Sequence, residues 1–146
     1  MDTHLYQQYA MMKNFPKEKD KPKKQRKKTK TQLRKIADKV FSEYIRRRDK
    51  GKCYTCPKQG DWKRMQCGHF IPRQYLPVRY DEVNCHCQCY ACNMLYNGQP
   101  GAFASRLERD YGRGTVEMLE KARKEVVPNF PYEYWLEVYQ EKLKKL

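Results

Sequence analysis

The chain has 146 residues, of which 39% are apolar and 34% charged, enough for one small domain with a modest core but not for several. Its formal charge is +15, concentrated between residues 13 and 52, where 18 Lys and Arg face 5 Asp and Glu. No apolar run is long enough to span a bilayer, and "MDTHLYQQYA" lacks the basic-then-apolar order of a secretory signal, so the expectation is an intracellular protein with no membrane partner.

Residues 1–30 end in "PKEKDKPKKQRKKTK", a lysine-rich run with almost nothing to bury, and read as a basic, mobile tail. Leu5, Tyr9 and Met12 form at most one short helical face there, and His4 has no assigned role. Lysines and arginines beside phosphates gain affinity by releasing condensed counterions, so the tail points to a polyanion; the alternative is a merely solubilising extension. From Thr31 the pattern changes. Leu33, Ile36, Ala37, Val40, Phe41, Tyr44 and Ile45 recur every three or four residues, which predicts a basic amphipathic helix over 31–52 that Gly51 can end. Arg46, Arg47 and Arg48 on this helix are expected to hold the arms of a nucleic acid.

Residues 53–100 are turn-rich and contain all seven cysteines. Two short strands are expected near 65–71 and 83–87, followed by a helix from about Tyr90. Strand alternation puts Cys85 and Cys87 on one face of the second strand, with Asn84 and His86 on the other. Residues 101–146 read as C-terminal helices packing on that core: "GAFASRLERDYG", "TVEMLEKARKEV" and, after Pro128 and Pro131, a stretch through Trp135, Val138, Tyr139 and Leu143. The expected class is α+β, mainly helical around a small hairpin.

In a reducing compartment, paired cysteines are metal ligands more often than disulfides. Cys53-x2-Cys56 and Cys89-x2-Cys92, 32 residues apart, can each present two thiolates and together close a four-sulfur zinc site, the alternative being unliganded buried thiols. Cys67, Cys85 and Cys87 are left as packed or spare thiols, or as part of a second zinc site through Cys67.

"GHFIPR" followed by "NCHCQCYACNMLYNG" resembles the HNH nuclease pattern, in which a histidine on a first strand, an asparagine on a second, and a histidine or asparagine on the next helix surround one divalent ion. Those positions correspond to His69, Asn84 and Asn93. More closely, "YIRRRD", "CGHFIPR", "RYDEVN", "QCYACN", "NG" and "LERDYG" resemble the phage NinG/Rap recombination endonuclease family over about residues 33–124. The resemblance implies a zinc-stapled treble-clef or ββα-metal fold that cuts branched DNA, such as Holliday junctions and D-loops, in the cytoplasm of a phage's bacterial host. It further implies a 5′-phosphate and a 3′-hydroxyl as products.

The residue types agree with that chemistry. A neutral imidazole can take a proton from water, and an ion on oxygen ligands can neutralise charge on the phosphate. His69 is therefore expected as general base, Asn84 as the amide that holds the loop of His69, and Asn93 as a ligand for Mg²⁺ or Mn²⁺, with Asn97 assisting if the helix reaches it. Many HNH proteins carry an aspartate or histidine just before the base, where this chain has Gly68; His86 is expected either to replace that ligand or to serve as a phosphate or structural partner. Arg73 and Arg79 suit bidentate phosphate contact, while Trp62, Tyr75 and Tyr80 fit either base stacking or the core. For His69 the alternative is a structural or zinc-binding histidine. A noncatalytic zinc-finger protein that binds nucleic acid, or an HNH nuclease acting on plain duplex, are the rival readings, and symmetric cutting of a junction favours a homodimer or two bound copies.

Overall fold

The computed structural model describes residues 26–146; most of the expected basic tail, at 1–25 with His4, Leu5, Tyr9 and Met12, lies outside the described residues. The elements in chain order are α1 (Lys30–Arg48), β1 (Gln66–His69), β2 (Cys85–Gln88), a wide helical turn (Ala91–Leu95), α2 (Pro100–Tyr111), α3 (Thr115–Ala122) and α4 (Tyr132–Lys144). Helix α1 starts where Thr29 and Gln32 cap each other, the Thr29 hydroxyl accepting from the Gln32 amide and the Gln32 side chain accepting from the Thr29 amide. It stops at Asp49, and Lys50 and Gly51 then turn the chain through positive φ of 53° and 66°.

The two strands pair antiparallel, Gln66 with Gln88, Cys67 with Cys87, Gly68 with His86 and His69 with Cys85. Alternation therefore gives Cys67, His69, Cys85 and Cys87 one face, and Gln66, Gly68, His86 and Gln88 the other. Cys85 joins Ala37, Phe41, Tyr44 and Ile45 of α1 in the main core, together with Tyr80 and Tyr139. Tyr139 brings in α4: its ring meets Phe41 edge-on at 4.7 Å, and its hydroxyl donates to the Tyr80 carbonyl at 2.7 Å. A second core of Ile71, Val78, Phe103, Leu107 and Leu119 binds the loop after β1 to α2 and α3. Cys53, Met65, Cys87, Cys89 and Cys92 make a third, small cluster.

This is the mainly helical α+β class with a two-stranded hairpin and a four-cysteine cluster. The expected helix after Tyr90 is shorter and wider than an α-helix, with Tyr96 N donating to the Ala91 carbonyl at 2.9 Å and Gly98 N to that of Cys92 at 2.8 Å. Asn97 then adopts a positive φ of 52°, so the helix ends before reaching it. Among the described residues, no helix is long and apolar enough to cross a membrane.

Gly51 is held by more than its φ, since a Cβ there would overlap the Gly60 carbonyl. Replacing Gly51 with alanine is expected to cost more than about 1 kcal/mol, read as a lower thermal midpoint. An unchanged midpoint would mean the turn relaxes freely.

Candidate functional site

The sulfurs of Cys53, Cys56, Cys89 and Cys92 lie within 4.8 Å of one another, a set that fits the tetrahedral all-sulfur coordination of zinc. The first pair sits in the turn just after α1, and the second pair brackets the start of the wide turn. The Cys89 amide donates to Cys53 Sγ at 3.3 Å, and Cys56 Sγ stands 3.8 Å from Cys89 Sγ. Burial raises the pKa of Cys53, but the Cys89 amide and Thr55 outweigh it and bring the thiol down to about 6. Burial pushes Cys92 up to about 12. Without an ion this thiol therefore keeps its proton, and zinc must displace it to bind.

Beside this cluster a cleft runs along β1. Its walls include Asp38, Phe41 and Ser42 of α1, Cys67 and His69 of β1, Pro72, Arg73 and Tyr80 of the following loop, and Asn93, Met94, Asn97 and Gly98 around the wide turn. His69, Asn93, Asn97 and Arg73 are thus brought together. His69 Nε2 lies 3.1 Å from the Arg79 carbonyl. A carbonyl can only accept, so Nε2 carries the proton and Nδ1 keeps the ring's lone pair. Burial pushes the His69 pKa down from 6.5, the charges of Arg79 and Arg73 push the same way, and the carbonyls of Arg79 and Cys67 oppose them without reversing the shift. The imidazole is neutral at neutral pH.

Asn84 is fully buried behind the cleft. Its Oδ1 accepts from Ile71 N at 2.8 Å, and its Nδ2 donates to the carbonyls of Ile71 and Val78, both at 3.0 Å. One amide thus closes both ends of the loop between His69 and the Arg79 carbonyl. Asp38, which the sequence did not single out, fixes that loop from α1: it takes Arg79 Nε at 2.9 Å, Arg79 Nη2 at 2.6 Å and the Tyr80 hydroxyl at 2.8 Å.

Asn93 Nδ2 donates to Gln66 Oε1 at 2.6 Å, which leaves its own Oδ1 as the atom available to an ion. Gln88 was also missed by the sequence reading. Its Nε2 donates to Gly98 O at 2.8 Å and Thr55 Oγ1 at 2.9 Å, while its Oε1 is buried with no hydrogen-bond partner among the described residues. A Cβ on Gly68 would fall on that same oxygen. An orphaned amide oxygen, in the space that a side chain at Gly68 would otherwise fill, fits a hard divalent ion.

Three expectations are corrected. His86 does not line the cleft; it stacks on Tyr54 at 3.8 Å, and its two nitrogens meet Arg48 Nη2 at 3.1 Å and the Tyr111 hydroxyl at 3.2 Å. Arg48 is not a free cation, because its guanidinium binds Asp49 and the carbonyls of Glu82 and Cys85. Burial acts to raise Asp49, but His86, Arg48 and the Cys87 amide hold its pKa at about 2, so this pair stays charged. Arg79 is 7% exposed, and besides Asp38 it donates to the Arg73 carbonyl at 2.6 Å, so it supports the site instead of gripping phosphate. Arg46 and Arg47 lie over the Trp62 ring at 5.2 and 5.7 Å and remain partly exposed, and Arg73 is exposed at the cleft rim. Tyr80 belongs to the core.

Zinc content near about one ion per chain is expected by elemental analysis, lost with Cys53→Ser or Cys92→Ser together with a fall in thermal midpoint. Full zinc retention in both variants would remove the cluster as the binding site.

No curated protein and no solved structure matches the chain. Similarity to a protein family reaches well beyond the segment 33–124 that carries the motifs. Residues 5–146 match the sequence model of the bacteriophage lambda NinG protein, and the chain belongs to that family.

Proposed function

We propose that this NinG-family protein is a metal-dependent endonuclease of HNH type that hydrolyses phosphodiester bonds in branched recombination intermediates such as Holliday junctions and D-loops. The observation that carries the reading is His69: a neutral imidazole, with its tautomer set by the Arg79 carbonyl, on the wall of a cleft that also holds Asn93, Asn97 and Arg73. A pure binding module gains nothing from a histidine fixed in this way, which is why the zinc-finger reading comes second.

Water bound in the cleft gives its proton to Nδ1 of His69 as its oxygen attacks phosphorus. Asn84 and the Asp38–Arg79 pair keep the ring from turning, and exposed Arg73 holds a phosphate oxygen. Asn93 and Asn97 on the cleft wall, with the orphaned oxygen of Gln88 behind it, would hold magnesium or manganese through their amide oxygens, and the ion would supply charge neutralisation at the phosphate and at the departing 3′ oxygen. Exposed Met94 lines the cleft, and Tyr90, Leu95 and Tyr96, exposed on and around the same turn, add apolar surface suited to bases unstacked at a branch point. The basic flank of α1, including Arg46 and Arg47, faces duplex arms without sequence preference.

The test is cleavage of a labelled four-way junction, a fork and linear duplex in Mg²⁺, in Mn²⁺ and in chelator. His69→Ala is expected to lower junction cleavage roughly 10²–10⁴-fold with binding retained. Because the base works unprotonated and its pKa is lowered, the acid limb of kcat/KM should lie below pH 6.5. Undiminished cutting by the variant removes His69 from the chemistry, and equal cutting of duplex and junction removes the branched substrate.

The ion site is tested without turnover, by Mn²⁺ binding followed by electron paramagnetic resonance. Gln88→Ala should weaken Mn²⁺ at least about tenfold. Gly68→Asp alone should disturb the fold by colliding with Gln88, whereas Gly68→Asp with Gln88→Ala should regain both folding and Mn²⁺. Parental Mn²⁺ affinity in Gln88→Ala would exclude its oxygen as a ligand.

A further inference from the structure

The hairpin face that carries His69 also holds three thiols that neither the zinc staple nor the hydrolysis uses, and two of them stand beside the ring. His69 is paired directly across the sheet with Cys85, and Cys67, two residues before His69, stands on the same face. The ligand atoms of Cys67, His69 and Cys85 lie within 4.8 Å of one another. His69 Nε2 and Cys85 Sγ approach the same acceptor, the Arg79 carbonyl, at 3.1 and 3.7 Å. Cys87, though it shares the face, packs with Cys53 and Met65 in the other cluster. The group therefore has three ligands. Cys85 is fully buried, but Cys67 and His69 line the cleft, so the fourth coordination position opens to solvent and substrate.

We propose that Cys67, His69 and Cys85 form a second metal site, distinct from the four-cysteine staple, which takes a thiophilic divalent ion such as zinc and whose occupation switches the nuclease off. Two sulfurs and an imidazole are a soft donor set that favours zinc over magnesium, whereas the amide oxygens of Asn93 and Asn97, which also line the cleft, favour magnesium. One cleft thus offers two ions two different walls. The inhibitory effect follows from the ring itself: a neutral imidazole has a single nitrogen lone pair, and when a metal takes it, none is left to accept a proton from water. On binding, the two thiols release their protons to solvent, the ring proton moves from Nε2 to Nδ1, and Nε2 gives up the Arg79 carbonyl to bind the metal. The site stands on its own geometry; its effect on cleavage rests on His69 being the base.

The experiment uses the full chain with its structural zinc in place. Dialysis against excess Zn²⁺ should raise the metal content from about one to about two ions per chain, and Co²⁺ should add a second set of sulfur-to-cobalt absorption bands. Cys67→Ser, at a half-buried position, and Cys85→Ala, with its fold checked by circular dichroism, should each stop at one ion. In Mg²⁺, added zinc should suppress junction cleavage by the parent roughly tenfold or more and leave Cys67→Ser far less affected. A metal count that never exceeds one overturns the site, as does a second ion that persists when both cysteines are replaced. Unchanged or faster cleavage with the second ion bound overturns the inhibitory role. If no variant or parent cuts DNA at all, the nuclease reading falls while the metal count still decides the site.

Discussion

The four sulfurs of Cys53, Cys56, Cys89 and Cys92 set the position of everything that faces the cleft. A hairpin with four residues in each strand cannot hold itself together in water. Here it is caught between the end of α1, which leads directly into Cys53, and the wide turn, which begins between Cys89 and Cys92. Backbone bonds reinforce the same junction, with Tyr54 N donating to the Cys87 carbonyl at 2.7 Å and Cys53 N to that of Lys58 at 2.8 Å. Asn93 immediately follows one of these four cysteines, so an ion held by the cluster would also fix its amide. Loss of the ion would loosen α1, the hairpin and the Asn93 turn together.

A second chain of fixed groups reaches His69 from the opposite side. Asp38 on α1 holds the Arg79 guanidinium by two bonds, Arg79 ties the Arg73 carbonyl, and the Arg79 carbonyl holds the imidazole. The charges in this chain position backbone, and only the last bond touches the imidazole ring. Positive charge near the cleft is accordingly of two kinds. Arg79 and Arg48 are committed to carboxylates and carbonyls; Arg46 and Arg47, although bonded to the Ser42 and Trp62 carbonyls and to Glu43, stay partly exposed, and Arg73 is exposed.

Local patterns were legible in the sequence and long-range pairings were not. The stripe of α1, its stop near Gly51 and the two cysteine pairs depend on spacing within a few residues, and so did the placing of two short strands. Arg79 and Arg48 were misjudged because an arginine's letter does not reveal a partner such as Asp38, 41 positions earlier. Of the two roles expected for His86 only that of structural partner is seen, and the ligand role failed for a different reason. Alternation would put it beside Asn84 only if both were in the strand, but β2 begins at Cys85, and Asn84 belongs to the turn in which Asp81 Oδ1 accepts from the amides of Val83 and Asn84. Its side chain therefore points into the loop after β1, while His86 turns toward Tyr54. Asn97 reached the cleft by a route the periodicity did not describe, through a left-handed turn after the helix had ended.

Gly68 looked in sequence like a missing ligand, and cross-strand packing changes that meaning. Gln88 lies two pairs further along the opposite strand from His86, the residue that faces Gly68, and its side chain crosses diagonally over the bare backbone there. Any side chain at position 68 would displace Gln88, and with it the bonds from Nε2 to Gly98 and Thr55 that join the wide turn to the first cysteine loop. Glycine is therefore required if an amide is to span the strand. The oxygen that this amide leaves unbonded sits where a side chain at Gly68 would have begun, so a residue from the second strand occupies the position that the first strand leaves empty.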